Sequence, residues 1–326
     1  MSILVTGGAG YIGSHVVKDL IENGYDVITI DNLKKGHKKA ILGGTFIKGD
    51  IGDKELLRDV FNDNDIKAVI HLAADSLVGE SMEKPGKYYH NNLDNGVKLL
   101  EVMKEFQVDN IVFSSTAAVY GEPEDIPIKE DHPINPGNPY GESKYFYEKV
   151  LDRYDKLFNI KYMSLRYFNA AGADPSGKIG EDHNPETHLI PLVLDTALGK
   201  RDKLYIFGTD YDTRDGTCVR DYIHVNDLAT AHTLALQALL AGKKSSIYNL
   251  GNGEGYTVKE VIETARRITK KEIPAEDSER RPGDPAVLIA SSKKIKEELG
   301  WKSEYPELEK IIDTAWQWHK RGGFSK

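Results

Sequence analysis

The chain holds one cysteine, Cys218, in 326 residues. No intrachain disulfide can form, and no zinc site built on cysteine pairs is available. No stretch of about 18 apolar residues occurs, which excludes a membrane-spanning helix on length. Basic residues are in deficit: 43 Lys and Arg against 51 Asp and Glu leave a net charge of -8. That balance argues against a nucleic-acid-binding surface. It leaves room for an anionic small molecule, because a few local arginines bind phosphate inside an acidic protein. The ten histidines show no H-E-x-x-H pattern, so no metal is expected. Gly7 interrupts the first apolar run before it is long enough for a secretory signal. Together these absences favour the cytoplasm.

What is present is a regular alternation. Ser2-Ile3-Leu4-Val5-Thr6 reads as a buried parallel strand. Tyr11, Ile12, Val16, Val17, Leu20 and Ile21 then recur at helical spacing. Strand-like runs follow at residues 26–30, 45–47, 68–72, 110–114 and 162–167, with helical patterns between them. Such alternation predicts an α/β fold with a doubly wound parallel sheet. Gly7, Asp31, Asp50, Ala73, Ser114 and Asn169 fall at predicted strand ends, so they should line one crevice. After about residue 170 the texture changes. Residues 171–186 are rich in Gly, Pro and Asp, and shorter elements follow, with helices expected near 227–240, 259–269 and 306–319. The expected division is a first domain over 1–170 and a smaller α/β lobe over 171–326. Segments near 187–200 and 221–241 are placed to pack back on the first domain.

Gly7-Gly8-Ala9-Gly10-Tyr11-Ile12-Gly13 satisfies G-x-G-x-x-G between a strand and a helix. Residues without side chains there let a pyrophosphate rest on the helix N-terminus. Asp31 ends the second strand, where a carboxylate binds an adenosine ribose and repels a 2′-phosphate. That favours NAD over NADP, softened by Lys34 and Lys35. Asp50, after the third strand, either binds adenine or caps the helix beginning near Lys54. Tyr140-Gly141-Glu142-Ser143-Lys144 puts a phenol and an ammonium on one helix face. A lysine beside the phenol favours the phenolate and makes Tyr140 a base. By itself such a pair also describes an ordinary surface contact.

These residues carry a resemblance to the extended short-chain dehydrogenase/reductases, running from about Ile3 to about Trp301. Its motifs are Thr6-Gly7-Gly8-Ala9-Gly10-Tyr11-Ile12-Gly13, Gly49-Asp50-Ile51, His71-Leu72-Ala73-Ala74, Ser114-Ser115-Thr116-Ala117-Ala118 and Asn138-Pro139-Tyr140-Gly141-Glu142-Ser143-Lys144. Arg166-Tyr167-Phe168-Asn169, Val219-Arg220-Asp221-Tyr222 and Arg281-Pro282-Gly283-Asp284 extend it into the second lobe. The chain is most similar to members that epimerise UDP-sugars at C4. That implies bound NAD, a UDP-sugar substrate, a transient 4-keto sugar and a homodimer formed through residues matching about 92–106 and 140–158.

The resemblance also implies roles. Tyr140 is the base, Lys144 lowers its pKa and holds the cofactor ribose, and Thr116 bonds the sugar oxygen at C4. Cofactor contacts are implied for Gly7, Gly10, Tyr11, Ile12, Gly13, Asp31, Asn32, Asp50 and Ile51. They are implied further for Leu72, Ala73, Ala74, Asn91, Ser114, Tyr140, Lys144 and Tyr167. On the substrate side, Arg220 and Arg281 clamp the diphosphate. Asp284 meets the nucleotide ribose, Asn169 and His188 the sugar diphosphate, with Leu189 beside them. His188 stands where other members carry asparagine, and Ser76 where some carry a cofactor-binding lysine. Phe207 is either packed near uracil or core. Arg220 and Asp221 read alternatively as a surface ion pair worth under about 1 kcal/mol. Val287 stands at a position that gates the sugar pocket; a small residue there leaves room for an N-acetyl group at C2. A dehydratase of this fold needs an Asp-Glu pair after the threonine, where this chain has Ala117-Ala118. A non-catalytic NAD-binding regulator would need neither Tyr140 nor Lys144.

Overall fold

The apolar runs pair in parallel, as strands with no polar face must when helices cover both sides. In the computed structural model, which describes residues 1–281 and 283–325, seven strands form one parallel sheet. They are β1 (Ser2–Thr6), β2 (Asp26–Asp31), β3 (Thr45–Lys48), β4 (Ile66–His71), β5 (Asn110–Thr116), β6 (Lys161–Tyr167) and, last, Ser246–Leu250. The order is β3-β2-β1-β4-β5-β6 followed by Ser246–Leu250. Strand order reverses beside β1, and such a reversal opens a crevice at the carboxyl ends.

Alternate side chains feed two separate cores. Ile3 and Val5 join Val16, Val17 and Leu20 of the helix Tyr11–Glu22, together with Leu228, Ala235 and Leu236. Leu4 points the other way, into a core with Leu57 and Phe61, Leu99 and Met103, and Tyr147 and Leu151. The second lobe has its own core, in which Ile190 and Leu194 meet Val261, Ile262, Ile311 and Ile312. The described residues contain no helix long and apolar enough to cross a membrane.

The boundary expected near residue 170 is crossed by the sheet. Ser246–Leu250 pairs with β6, and the helix Val225–Leu240 supplies the first core. The crossover returns the chain to the sheet edge, beside a partner strand some 80 residues earlier. The segment near 187–200 instead forms the helix Leu189–Ala197 and packs within the second lobe. The helical pattern between β4 and β5 is not one helix. It holds a π-helical turn at Tyr89–Asp94 ahead of the helix Asn95–Glu105. The wider turn accompanies a specific placement of Asn92, whose amide bonds both Asp75 backbone groups and the Ser143 hydroxyl. It thereby ties the loop after β4 to the helix that carries Tyr140.

Candidate functional site

Gly7 has φ +75°, and a Cβ there would lie 2.6 Å from the Ala73 amide nitrogen. A Cβ on Gly13 would lie 2.1 Å from the Gly7 carbonyl oxygen. The loops after β1 and β4 and the start of the helix Tyr11–Glu22 therefore meet backbone to backbone. Tyr11 and Ile12 stand in the first helical turn, whose N–H groups have no helical acceptors and suit an anion. Leu72 donates to the Thr6 carbonyl at 3.0 Å, which brings Leu72, Ala73 and Ala74 beside the glycine loop.

Asp31 is buried at the end of β2 and accepts from the Ala9 and Leu33 amides at 3.0 and 2.8 Å. Burial pushes its carboxyl up, and those two amides pull it back. Each oxygen keeps a lone pair for a hydroxyl. Asp50 is not a helix cap: Asp53 caps Lys54–Asp63, accepting from Glu55 and Leu56. Asp50 instead takes the Gly52 amide at 2.9 Å, Asn32 at 2.9 Å and Lys34 at 3.2 Å. Burial raises its carboxyl, but these donors together leave it below the ordinary range. Asn32, Asp50 and buried Ile51 thus close the crevice beyond Asp31.

Asn138 caps the helix Pro139–Phe158, accepting from the Gly141 amide at 2.9 Å. A Cβ on Gly141 would sit 2.5 Å from the Ala118 carbonyl oxygen. This glycine lets the helix start press against the turn after β5, and so brings Tyr140 to Thr116. Burial raises the Tyr140 phenol, and hydrogen bonding with the Thr116 side chain works against it. The Thr116 hydroxyl also accepts the Ala118 amide at 3.1 Å. Lys144 is buried, donates to the Ser114 carbonyl at 2.7 Å, and lies 4.9 Å over the Phe113 ring. The Ser114 hydroxyl in turn accepts from Tyr167.

The Lys144 ammonium donates to Ser114, and the side chain that acts on the Tyr140 phenol against burial is Thr116. Burial brings Lys144 itself down to about 7, with the Glu148 carboxylate one turn away opposing the fall. Its folded value lies below its unfolded value of about 10.4, so between the two the unfolded chain holds the extra proton. Stability should therefore rise with pH from about 7 to about 10. Urea midpoints of nucleotide-free protein should climb across that window and climb less in Lys144→Met. Equal slopes in the two proteins would contradict this.

In the second lobe Arg220 pairs with Asp284 and also donates to the Val219 carbonyl at 2.8 Å. Asp221 is not its partner. That carboxylate is fully buried and accepts the amides of Asn252, Gly253 and Ala290. Burial pushes it up to about 6 against those three bonds. Asn169 donates to the Asp221 carbonyl at 3.0 Å, which joins the first domain to this lobe. The Arg281 guanidinium lies 4.0 Å over the Phe207 ring, so Phe207 is half-buried under a cation rather than core. Pro282 of that motif lies outside the described residues. His188 and Leu189 open the helix Leu189–Ala197, and His188 Nδ1 faces Glu181 and Glu186. Asn91 sits in the π turn, accepting from Asn95 at 3.4 Å.

Sequence reasoning missed two supports. The Thr6 hydroxyl bonds His71 Nδ1 at 2.7 Å under the glycine loop. Behind Lys144, Glu148 and Arg166 form a buried pair. Its only sequence signal is a glutamate four residues after Lys144.

Residues 3–251 match the NAD dependent epimerase/dehydratase family. The chain belongs to that family. Within it, the chain is 56% identical over 320 residues to the UDP-glucose 4-epimerase of Halalkalibacterium halodurans, covering 98% of this chain and 96% of that one. A crystal structure of a UDP-glucose 4-epimerase superposes with a TM-score of 0.98 at 56% identity, covering all of both chains. The UDP-glucose 4-epimerase of Brucella ovis, solved in complex with NAD, superposes at 0.95 with 44% identity over 97% of each chain. For a member of this family, the glycine loop and Asp31 are the fitting cradle for a dinucleotide. The backbone approach at Gly7 and Gly13 leaves no room for side chains.

Proposed function

We propose that this epimerase-family chain is a UDP-glucose 4-epimerase that interconverts UDP-glucose and UDP-galactose with resident NAD. The observation that carries the reading is that Tyr140 reaches Thr116 and Lys144 reaches Ser114 at the end of β5, in the same sheet whose β1 leads into the glycine loop. Gly7, Gly13 and Asp31 would hold the cofactor, which supplies a hydride acceptor and, later, the donor.

Tyr140 takes the proton of the sugar 4-hydroxyl as hydride leaves C4, and returns it after the 4-keto sugar has turned. Burial alone favours the neutral phenol and the Thr116 side chain works against it; the positive ring of bound NAD would further favour the phenolate from which each turnover starts. Thr116 meets both the phenol and the sugar oxygen. Lys144, anchored on Ser114, fixes the inner wall of the site. Arg220, braced by Asp284, and Arg281, stacked on Phe207, hold the diphosphate. Dehydration is disfavoured because Ala117 and Ala118 form the turn after Thr116 and carry no acid.

The test is UDP-galactose with purified protein and no added NAD. UDP-glucose should accumulate to a constant ratio. Binding without turnover would favour the regulator. A parallel arm with UDP-N-acetylglucosamine checks the room left by half-buried Val287. Absence of conversion at an enzyme level that equilibrates UDP-galactose would remove N-acetyl sugars from the range. The homodimer reading draws on Phe106, Phe146, Leu157 and Phe158, which are exposed on or just beyond the helices Asn95–Glu105 and Pro139–Phe158. Sedimentation as a single chain of 36.4 kDa would exclude it.

A further inference from the structure

The loop between Asn169–Ala171 and Leu189–Ala197 gathers four groups, of which three have no part in the proposed epimerase reaction and the fourth, His188, is the one expected at the sugar diphosphate. Glu181, His183, Glu186 and His188 each offer one atom, and these atoms lie within 4.8 Å of one another. His183 Nδ1 and His188 Nδ1 both face Glu181 Oε1, at 3.0 and 2.8 Å. His188 Nδ1 is 2.9 Å from Glu186 Oε1, and His183 Nδ1 is 3.8 Å from Glu186 Oε2. Tetrahedral zinc with bonds of about 2.0–2.1 Å puts its ligands roughly 3.3 Å apart. The four separations bracket that value.

Charge makes the same case independently. Glu181 is 4% exposed, and among the described residues the cationic partners of Glu181 and Glu186 are imidazoles, with no lysine or arginine. A buried carboxylate needs a cation or strong donors. A divalent ion would neutralise both carboxylates at once and let both histidines stay neutral. The surroundings hold the loop in place for this. Tyr11 donates to the Gly172 carbonyl at 2.6 Å, His37 Nε2 meets the Asp182 carbonyl at 2.8 Å, and Trp318 donates to the Glu181 carbonyl at 2.8 Å. A cavity of about 360 Å³ lined by Glu181, His183, Glu186 and His319 gives the ion a path in.

We propose that Glu181, His183, Glu186 and His188 form a structural zinc-class site. Two imidazoles with two carboxylates suit zinc better than magnesium or calcium, which prefer oxygen alone. Four protein ligands leave no open position, so the ion is structural and does not activate water. It would pin the loop from the glycine-rich start of the first domain to the C-terminal helix Leu308–Arg321, and so fix where His188 and Leu189 begin their helix. Ligation through Nδ1 leaves the Nε2–H of His188 free to donate to the sugar diphosphate, and the site itself does not depend on the epimerase reading.

The experiment uses the full chain with its bound nucleotide, dialysed against a chelator and then offered zinc. After gel filtration the expected content is about one zinc per chain, with a rise of at least about 3 °C in unfolding temperature. His183→Ala and Glu181→Gln should each weaken zinc affinity at least about tenfold while nucleotide content reports that they are folded. Cobalt offered to the wild-type chain should show the visible bands of a four-coordinate ion, which decides the matter even if a variant fails to fold. Wild-type protein that retains no zinc and gives no such cobalt spectrum would overturn the site and leave only an ion-pair network. Zinc retained equally by His183→Ala and Glu181→Gln would overturn it too.

Discussion

Tyr140→Phe should lower the rate of UDP-galactose conversion by about 10³-fold, since one positioned acid–base group supplies roughly 10²–10⁴. The same variant should keep its nucleotide and fold normally. The phenol hydroxyl has no backbone role, and the helix start rests on Asn138, Pro139 and Gly141. KM should move by less than about threefold, because the diphosphate is held in the other lobe by Arg220 and Arg281. A loss in kcat with KM and nucleotide content preserved marks a proton-transfer group. Full activity in Tyr140→Phe would falsify the mechanism. Thr116→Val makes the companion measurement. If Thr116 only caps the turn at Ala118, the variant loses stability and keeps its rate; if it also serves the sugar oxygen, the rate falls as well.

How much of this was legible beforehand follows from the range of the forces involved. β1, the glycine loop and Asp31 were readable because strand, turn and helix start are set by neighbours in the chain. The seventh strand, Ser246–Leu250, was not, because its partner β6 lies far away in sequence. The choice between Asp50 and Asp53 as helix cap turned on three residues of backbone geometry, which periodicity does not resolve. Tyr140 and Lys144 were placed on one helix face by spacing alone. Spacing could not say that Lys144 would turn to the Ser114 carbonyl, since that carbonyl belongs to β5. The pairing of Arg220 with Asp284 rather than Asp221 has the same cause, a contact across 64 residues. The Glu181–His188 cluster carries no H-E-x-x-H spacing, because its four side chains sit on a loop rather than on one helix face.

The second large effect lies behind the site, at Arg166. Its Nε and Nη2 meet both Glu148 carboxylate oxygens at 2.9 and 2.5 Å, and both side chains are almost wholly buried. Ser115 donates to the same carboxylate at 2.6 Å. Tyr120, which accepts from Arg166 at 2.9 Å, donates to Asn249 at 2.6 Å, so the network reaches the seventh strand. Arg166→Met strands a buried carboxylate with one hydroxyl for company, and should cost about 3–5 kcal/mol in urea unfolding. The double variant Arg166→Met, Glu148→Leu removes the stranded charge and should recover about 1–4 kcal/mol of that. A loss below about 1 kcal/mol for Arg166→Met would show that the pair is solvated despite its burial. The pair also reaches the chemistry. Glu148 holds the Lys144 ammonium up against burial, so without that carboxylate Lys144 should lose its proton at lower pH. In the double variant the stability rise assigned to Lys144 should begin below pH 7, and a rise unmoved from wild type would mean that Glu148 serves the fold alone.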